Sequence, residues 1–350
     1  MSGAMTSMER IGTALSHAEP DRVPVMLTVT MHGAKELGLS IEEYFSKPRH
    51  VVEGQLRLRR KFGHDCLNAL TYGAMEYEAF GGRATFADDG PPNAGEPVIR
   101  TRADIFNLTV PKIQDVPKLQ DGLAITRGLT EAAAGEVPVV GVAISPFSMP
   151  VMLMGFQGWL DLLHDDREAV DRLMEVTGRF CSDWANAQFA AGATAVAYYD
   201  PVSASDITHE DLFREIGLPA ARRTIQSFQG AAAYHLASGR ALGRIDDYAS
   251  TGAAGLGVSS QEDLGKIKRQ CAGRLAVIGN LNGIKMVRWS PEEMRAAAAA
   301  CIAAAAPGGG FVLSDNHGEI PFQVPDETLH ALMDTARELG TYPIRGTDDV

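Results

Sequence analysis

The chain has 350 residues, 45% of them hydrophobic, and sets 32 Lys and Arg against 44 Asp and Glu for a formal net charge of −12. That length suits one large α/β barrel or two ordinary domains, while the acidic balance argues against nucleic acid and anionic membrane surfaces as partners, because like charges repel unless a basic patch overrides them. Four widely spaced cysteines without a CxxC pair exclude a zinc ribbon or a disulfide framework and read as reduced, packed thiols.

In chain order, RVPVMLTV at 22–29 reads as a first strand. The one basic cluster, Arg57, Arg59, Arg60 and Lys61, reads as the solvated face of a helix. CLNAL at 66–70 is a second strand, and residues 71–110, rich in Gly, Pro and acidic side chains, read as an excursion after it. VPVVGVAIS at 137–145 gives the third strand, followed by an apolar stretch, Phe147, Met149, Met152, Met154 and Phe156, that suits core packing or the wall of a cavity for a flat substrate. A long helix between Asp165 and Gly192 carries Val170, Leu173, Met174, Phe180, Cys181 and Trp184 on one stripe. ATAVAYY (193–199), AAAYHLA (231–237), AGLGVS (254–259), RLAVIG (274–279) and GFVLS (310–314) complete a set of eight strands. SPEEM at 290–294 opens a helix with Ser290 as cap, Pro291 at the first turn and Glu293 closing a capping box. The last helix opens near Asp326, with Leu329, Leu332, Met333, Ala336 and Leu339 on one face, and closes at Gly340.

This alternation predicts an α/β fold: one domain, residues 1–350, built as a single (β/α)8 TIM barrel with an insertion after the second strand. A doubly wound open sheet is the rival, but neither GxGxxG nor GxxxxGK[ST] follows the first strand. The opening MSGAMTSMERIG has no cationic start with an apolar stretch behind it, and no run nears ~18 apolar residues, so a cytoplasmic protein without an export signal or membrane span is expected.

In such a barrel, side chains at the C-terminal ends of strands face one cavity. His235, Asp200, Asp246 with Asp247, Asn280 with Asn282, and Asp315 to His317 all fall at such ends. Imidazole with carboxylate suits zinc held by three protein ligands with a fourth position open, and spacing alone leaves metal binding and acid–base work as alternatives. His17, His50, His164, His209 and His330 read as helix-surface groups, His64 as structural at the barrel bottom, and His32 as able to reach the cavity. Glu76 and Glu78 lie two apart in MEYEAFGG, on one side if extended.

The segments ERIGTALSHAEPDRVPV (9–25), LGLSIEEYFSKP, AISPFSM, GATAVAYYDP, IGNLNG and HGEIPFQVPDETL resemble, in that order, segments of the uroporphyrinogen decarboxylase superfamily. The resemblance implies its barrel over nearly the whole chain. Members that decarboxylate the tetrapyrrole carry an arginine-rich segment after the first strand and a catalytic aspartate beyond the second. Here MLTVTMHG lacks arginine and Tyr72 stands near the aspartate's place, so that reaction is not expected. Another branch transfers methyl groups to or from a corrinoid, or to a thiol, and MEYEAFG is similar to that branch's VEAEALG. Its zinc is held by HxC on the fifth strand and a cysteine after the eighth. His235 matches the histidine, Ala237 replaces the first cysteine, and His317 stands where the second would be.

The resemblance therefore implies a methyltransferase that moves a methyl group from a small substrate, such as a methoxylated aromatic in an O-demethylation, to a cobalamin-type corrinoid on a partner protein. Histidine and carboxylate in place of thiolates would make zinc a harder Lewis acid, suited to an ether oxygen. On this reading His235, His317 and Asp315 are the metal ligands or, without metal, acid–base groups. Glu76 completes coordination or protonates the leaving oxygen, and Tyr72, Asp200 and Asn280 line the cavity. The expected partners are a small methyl donor and a corrinoid protein, with a homodimer compatible. The competing readings are a decarboxylase or lyase on another acid, for which Arg240 and Arg244 are the best cations, and a non-catalytic corrinoid-binding protein.

Overall fold

The computed structural model describes residues 5–344. Its centre is a curled, seven-stranded sheet, β1 (Leu67–Asn68), β4 (Val139–Ile144), β5 (Ala195–Tyr199), β6 (Ala231–His235), β7 (Gly255–Gly257), β8 (Ala276–Leu281) and β9 (Phe311–Asp315), each parallel to its neighbour in that order. Crossover helices cover it, so these strands are apolar on both faces rather than alternating. Every residue of β8 and β9 is buried. Seven of the eight expected strands therefore form, in a TIM-barrel-like arrangement.

The expected first strand does not form. Residues 22–29 lie between β9 and the residues ahead of β1, with isolated bridges from Val25 to Leu313 and from Arg22 to Thr341 in place of a ladder. The amide of Met26 donates to Leu313 O and that of Asp65 to Val25 O. Pro24 has no amide to give, and the Val25 amide is taken by the Asp65 carboxylate at 2.9 Å. The buried Asp65 also accepts from Arg10 (2.8 Å), Arg22 (2.9 Å) and Ser7 (2.9 Å), while Arg10 reaches Asp21 at 2.6 Å. The ERIG and DR elements of the opening thus form one ionic clamp at the barrel's N-terminal side.

Between β1 and the helix Pro117–Ala133 the chain forms the helix Ala74–Ala79, a short antiparallel pair, β2 (Ala84–Thr85) with β3 (Asn93–Ala94), and the helix Arg102–Asn107. The helix Arg167–Ala190 buries Val170, Leu173, Met174, Phe180, Cys181 and Trp184 as its stripe predicts. Ser290 and Glu293 form the expected capping box of Pro291–Ala305, and the helix Asp326–Leu339 buries Leu329, Leu332, Met333 and Ala336. All four cysteines are buried free thiols. Among the described residues no helix is long and apolar enough to cross a membrane.

Candidate active site

A cleft of about 400 Å³ opens at the C-terminal ends of β1, β4, β5 and β9, a volume toward the lower end of the ~300–1,000 Å³ typical of small-ligand sites. Leu70, Ile144, Val151, Met152, Phe156, Pro201, Val202 and Ile207 make its apolar wall, with Phe156 46% and Ile207 44% exposed at the rim. Met152 and Phe156 come from the methionine-rich stretch after β4, whereas Phe147 and Met149 are core. Ser148, Tyr199, His317 and Glu319 supply its polar atoms, and among the described residues neither Lys nor Arg lines it.

Tyr199, the last residue of β5, shapes the cleft. Its hydroxyl donates to Gly318 O at 2.9 Å, and its ring stacks on His235 with centroids 4.5 Å apart. Gly318 has φ +88°, and a Cβ there would collide with the Tyr199 hydroxyl. His235 ends β6 and is buried, standing behind Tyr199 rather than in the cleft wall. Space for its ring comes from Gly257 of β7, where a Cβ would lie 2.9 Å from Nε2. The Ala237 amide donates to His235 Nδ1 at 3.0 Å. Burial, with help from His317 and against Asp315, brings the imidazole down to about 4. The ring is neutral at pH 7 with Nδ1 as acceptor, so its proton sits on Nε2.

Asp315 ends β9 and is buried. Its Oδ2 accepts from the amides of His317 (2.8 Å) and Gly318 (2.7 Å), fixing the loop, while Oδ1 has no protein partner. His317 is exposed on the cleft. Its Nδ1 pairs with Ser238 Oγ at 2.8 Å, and that oxygen also accepts from Asn316 Nδ2 at 3.1 Å. In the tautomer whose Nδ1 accepts from Ser238, the neutral ring carries its proton on Nε2. Glu319, two residues on, accepts from the Thr30 hydroxyl. Burial pushes its carboxyl up to about 7, opposed by the Thr30 hydrogen bond and reinforced by Asp315.

His235, Asp315 and His317 are thus brought to one region. The other expected site residues lie outside the cleft lining. Asp200 is fully buried and accepts from the hydroxyls of Ser145 (2.6 Å), Ser148 (2.7 Å), Ser203 and Tyr234, tying the ends of β4, β5 and β6 together. Glu76 is buried, accepts from the Ile144 amide at 3.1 Å, and is held well above the ordinary carboxyl range by burial. Tyr72 packs between Phe45 and Phe86 and donates to Glu78 at 2.6 Å. Asn280 faces outward to Ser259 O (2.8 Å) and Cys301. His32 is buried against Phe322, also outside the cleft. Arg244 is buried on the carbonyls of Ser203 and Ala204, and Arg240 pairs with Gln261. Glu319 and Tyr199 were not singled out from sequence. The signal for Glu319 was HGE in HGEIP, since residues two apart in an extended segment share a side.

The donors expected for zinc match that ion in kind but not in placement. Among the described residues no three His, Cys, Asp or Glu side chains are gathered to hold a metal. Moreover, a His235 that ligated through Nε2 would turn an Nδ1–H against the Ala237 N–H, donor against donor.

The model of the family described as uroporphyrinogen decarboxylase matches residues 6–339. The chain belongs to that family. Its curated relatives include the uroporphyrinogen decarboxylases of Alkalilimnicola ehrlichii, 26% identical over 95% of this chain and 94% of that one, and of Ralstonia pickettii, 26% identical over 73% of each. Among solved structures, a methyltransferase from Methanosarcina mazei superposes with a TM-score of 0.86 at 20% identity, covering 95% of this chain and 99% of that one. At that identity the likeness establishes the shared fold. The family's barrel can thus present a cleft walled by apolar side chains with its polar groups at one edge.

Proposed function

We propose that this protein transfers a methyl group from a small methyl ether, such as a methoxylated aromatic, to a corrinoid carried by a partner protein. The observation that carries the proposal is the cleft itself: apolar, without a cation among the described residues, and edged by His317 and Glu319. A decarboxylase acting on a substrate with several acids would need cations to hold them, since an unpaired carboxylate taken out of water costs several kcal/mol. The fold shared with the Methanosarcina mazei methyltransferase supports the same reading.

The chain's residues bind, orient and move a proton. Tyr199, Met152 and Phe156 hold the ring, and the ether oxygen lies against His317 Nε2–H and the Glu319 carboxyl. A corrinoid on a partner protein would supply a cobalt(I) nucleophile for the methyl carbon. As the methyl–oxygen bond breaks, its electron pair stays on oxygen, where the Glu319 proton is delivered and His317 donates a hydrogen bond. Displacement of water by the apolar wall strengthens both contacts. Asp315 and Ser238 act as positioning residues that fix His317.

The test is incubation with methoxylated aromatics and chemically reduced cobalamin, followed by absorbance and headspace analysis. The proposal expects methylcobalamin in step with the demethylated phenol. Carbon dioxide without methylcobalamin would assign a decarboxylase, and binding without turnover a ligand-binding protein; either result overturns the proposal.

A further inference from the structure

We infer that the cleft selects a neutral aryl methyl ether and rejects the same ring bearing a carboxylate. This rests on the methyl-transfer reading above and narrows its substrate. Most polar hydrogens in the cleft are already committed within the chain. Ser148 Oγ already donates to Asp200 at 2.7 Å, and the Tyr199 hydroxyl to Gly318 O at 2.9 Å. His317 Nδ1 is paired with Ser238, and Glu319 Oε1 with Thr30. The side chains left with a hydrogen to offer are His317, at Nε2, and Glu319, at its second oxygen, two residues apart in the chain and so at one edge of the cleft; Ser148 and Tyr199 keep only accepting lone pairs, which a carboxylate cannot use.

A ligand that satisfies such a site has an apolar body and a single oxygen-bearing edge. One ring with a methoxy group, or with adjacent methoxy and hydroxyl groups, meets that description. A carboxylate elsewhere on the ring would meet the apolar wall, which among the described residues carries no Lys or Arg. Turned round, it would take the place of the ether oxygen at His317 and Glu319, beside the buried Asp315. The first pose leaves a charge without a cation in a partly desolvated place, and the second displaces the reacting oxygen.

The test compares 2-methoxyphenol with 4-hydroxy-3-methoxybenzoate, which adds only the carboxylate, by isothermal titration on the full chain without corrinoid at about pH 7.5. Binding of the acid is expected to be about 30-fold weaker or worse. Ile207→Arg, a rim change at a 44% exposed position, supplies the missing cation and should narrow or reverse that preference while the fold is retained. Equal or tighter binding of the acid to the unaltered chain would overturn the inference. If methylcobalamin then formed from the acid, the methyl-transfer reading would stand without the selectivity. Failure of both ligands to bind would remove the two together.

Discussion

Glu319→Gln separates what this carboxyl does for stability from what it does for chemistry. Folding buries the group, which carries its titration from the ordinary 4.5 up to about 7, with Asp315 adding to the rise and the Thr30 hydroxyl opposing it. The folded chain therefore grips the proton more tightly than the unfolded chain does. Stability from this group is present below about pH 4.5 and is lost as pH climbs through about 7. At about 1.4 kcal/mol per tenfold change in proton affinity, the loss is at most about 3 kcal/mol by pH 8, less whatever solvent at the cleft screens. Glutamine keeps an oxygen for Thr30 and cannot ionise. Urea unfolding should therefore find the variant within ~1 kcal/mol of the parent near pH 5 and up to about 3 kcal/mol more stable near pH 8. Methyl transfer by the parent should fall as Glu319 loses its proton above about pH 7, and the variant should be slower by about 100-fold with that limb gone. Parallel stability curves for the two proteins across this range would refute the buried-carboxyl reasoning.

Three further outcomes follow from the packing. Gly257→Ala places a methyl against the His235 ring, so it should cost about 1–3 kcal/mol and weaken ligand binding through Tyr199, measured by urea midpoint and calorimetry; an unchanged Kd would show that His235 does not support the cleft. Asp65→Ala leaves Arg10 and Arg22 without their buried partner and should cost about 3–5 kcal/mol in equilibrium unfolding, whereas a loss under about 1 kcal/mol would deny the clamp its role. Protein purified without added zinc should carry under about a tenth of an equivalent by mass spectrometry, unchanged in His235→Ala; one tightly held equivalent, lost in that variant, would show that the donors close on an ion.

Seven strands were legible because strands covered on both faces read as short apolar runs between turn residues. The run at 22–29 was legible as apolar but not as unpaired, since its failure to join a ladder depends on Pro24 and on the reach of Asp65 from 40 residues away. At the site, position at a strand end was readable and direction was not. Asp315 and His317 reach the region of the cleft, whereas Asn280 turns outward to Cys301 and Asp200 turns down onto four hydroxyls. Glu319 lies past the strand in a loop whose path is set by Asp315 and by the Tyr199 contact at Gly318, contacts between distant segments that periodicity does not encode.

The most direct measurement uses 2-methoxyphenol labelled with carbon-13 in its methyl group, with reduced cobalamin, followed by NMR. The account predicts that the label moves onto cobalt with the unaltered protein and that Glu319→Gln slows this strongly. Label retained on the ring under conditions where calorimetry shows the ether bound would contradict it.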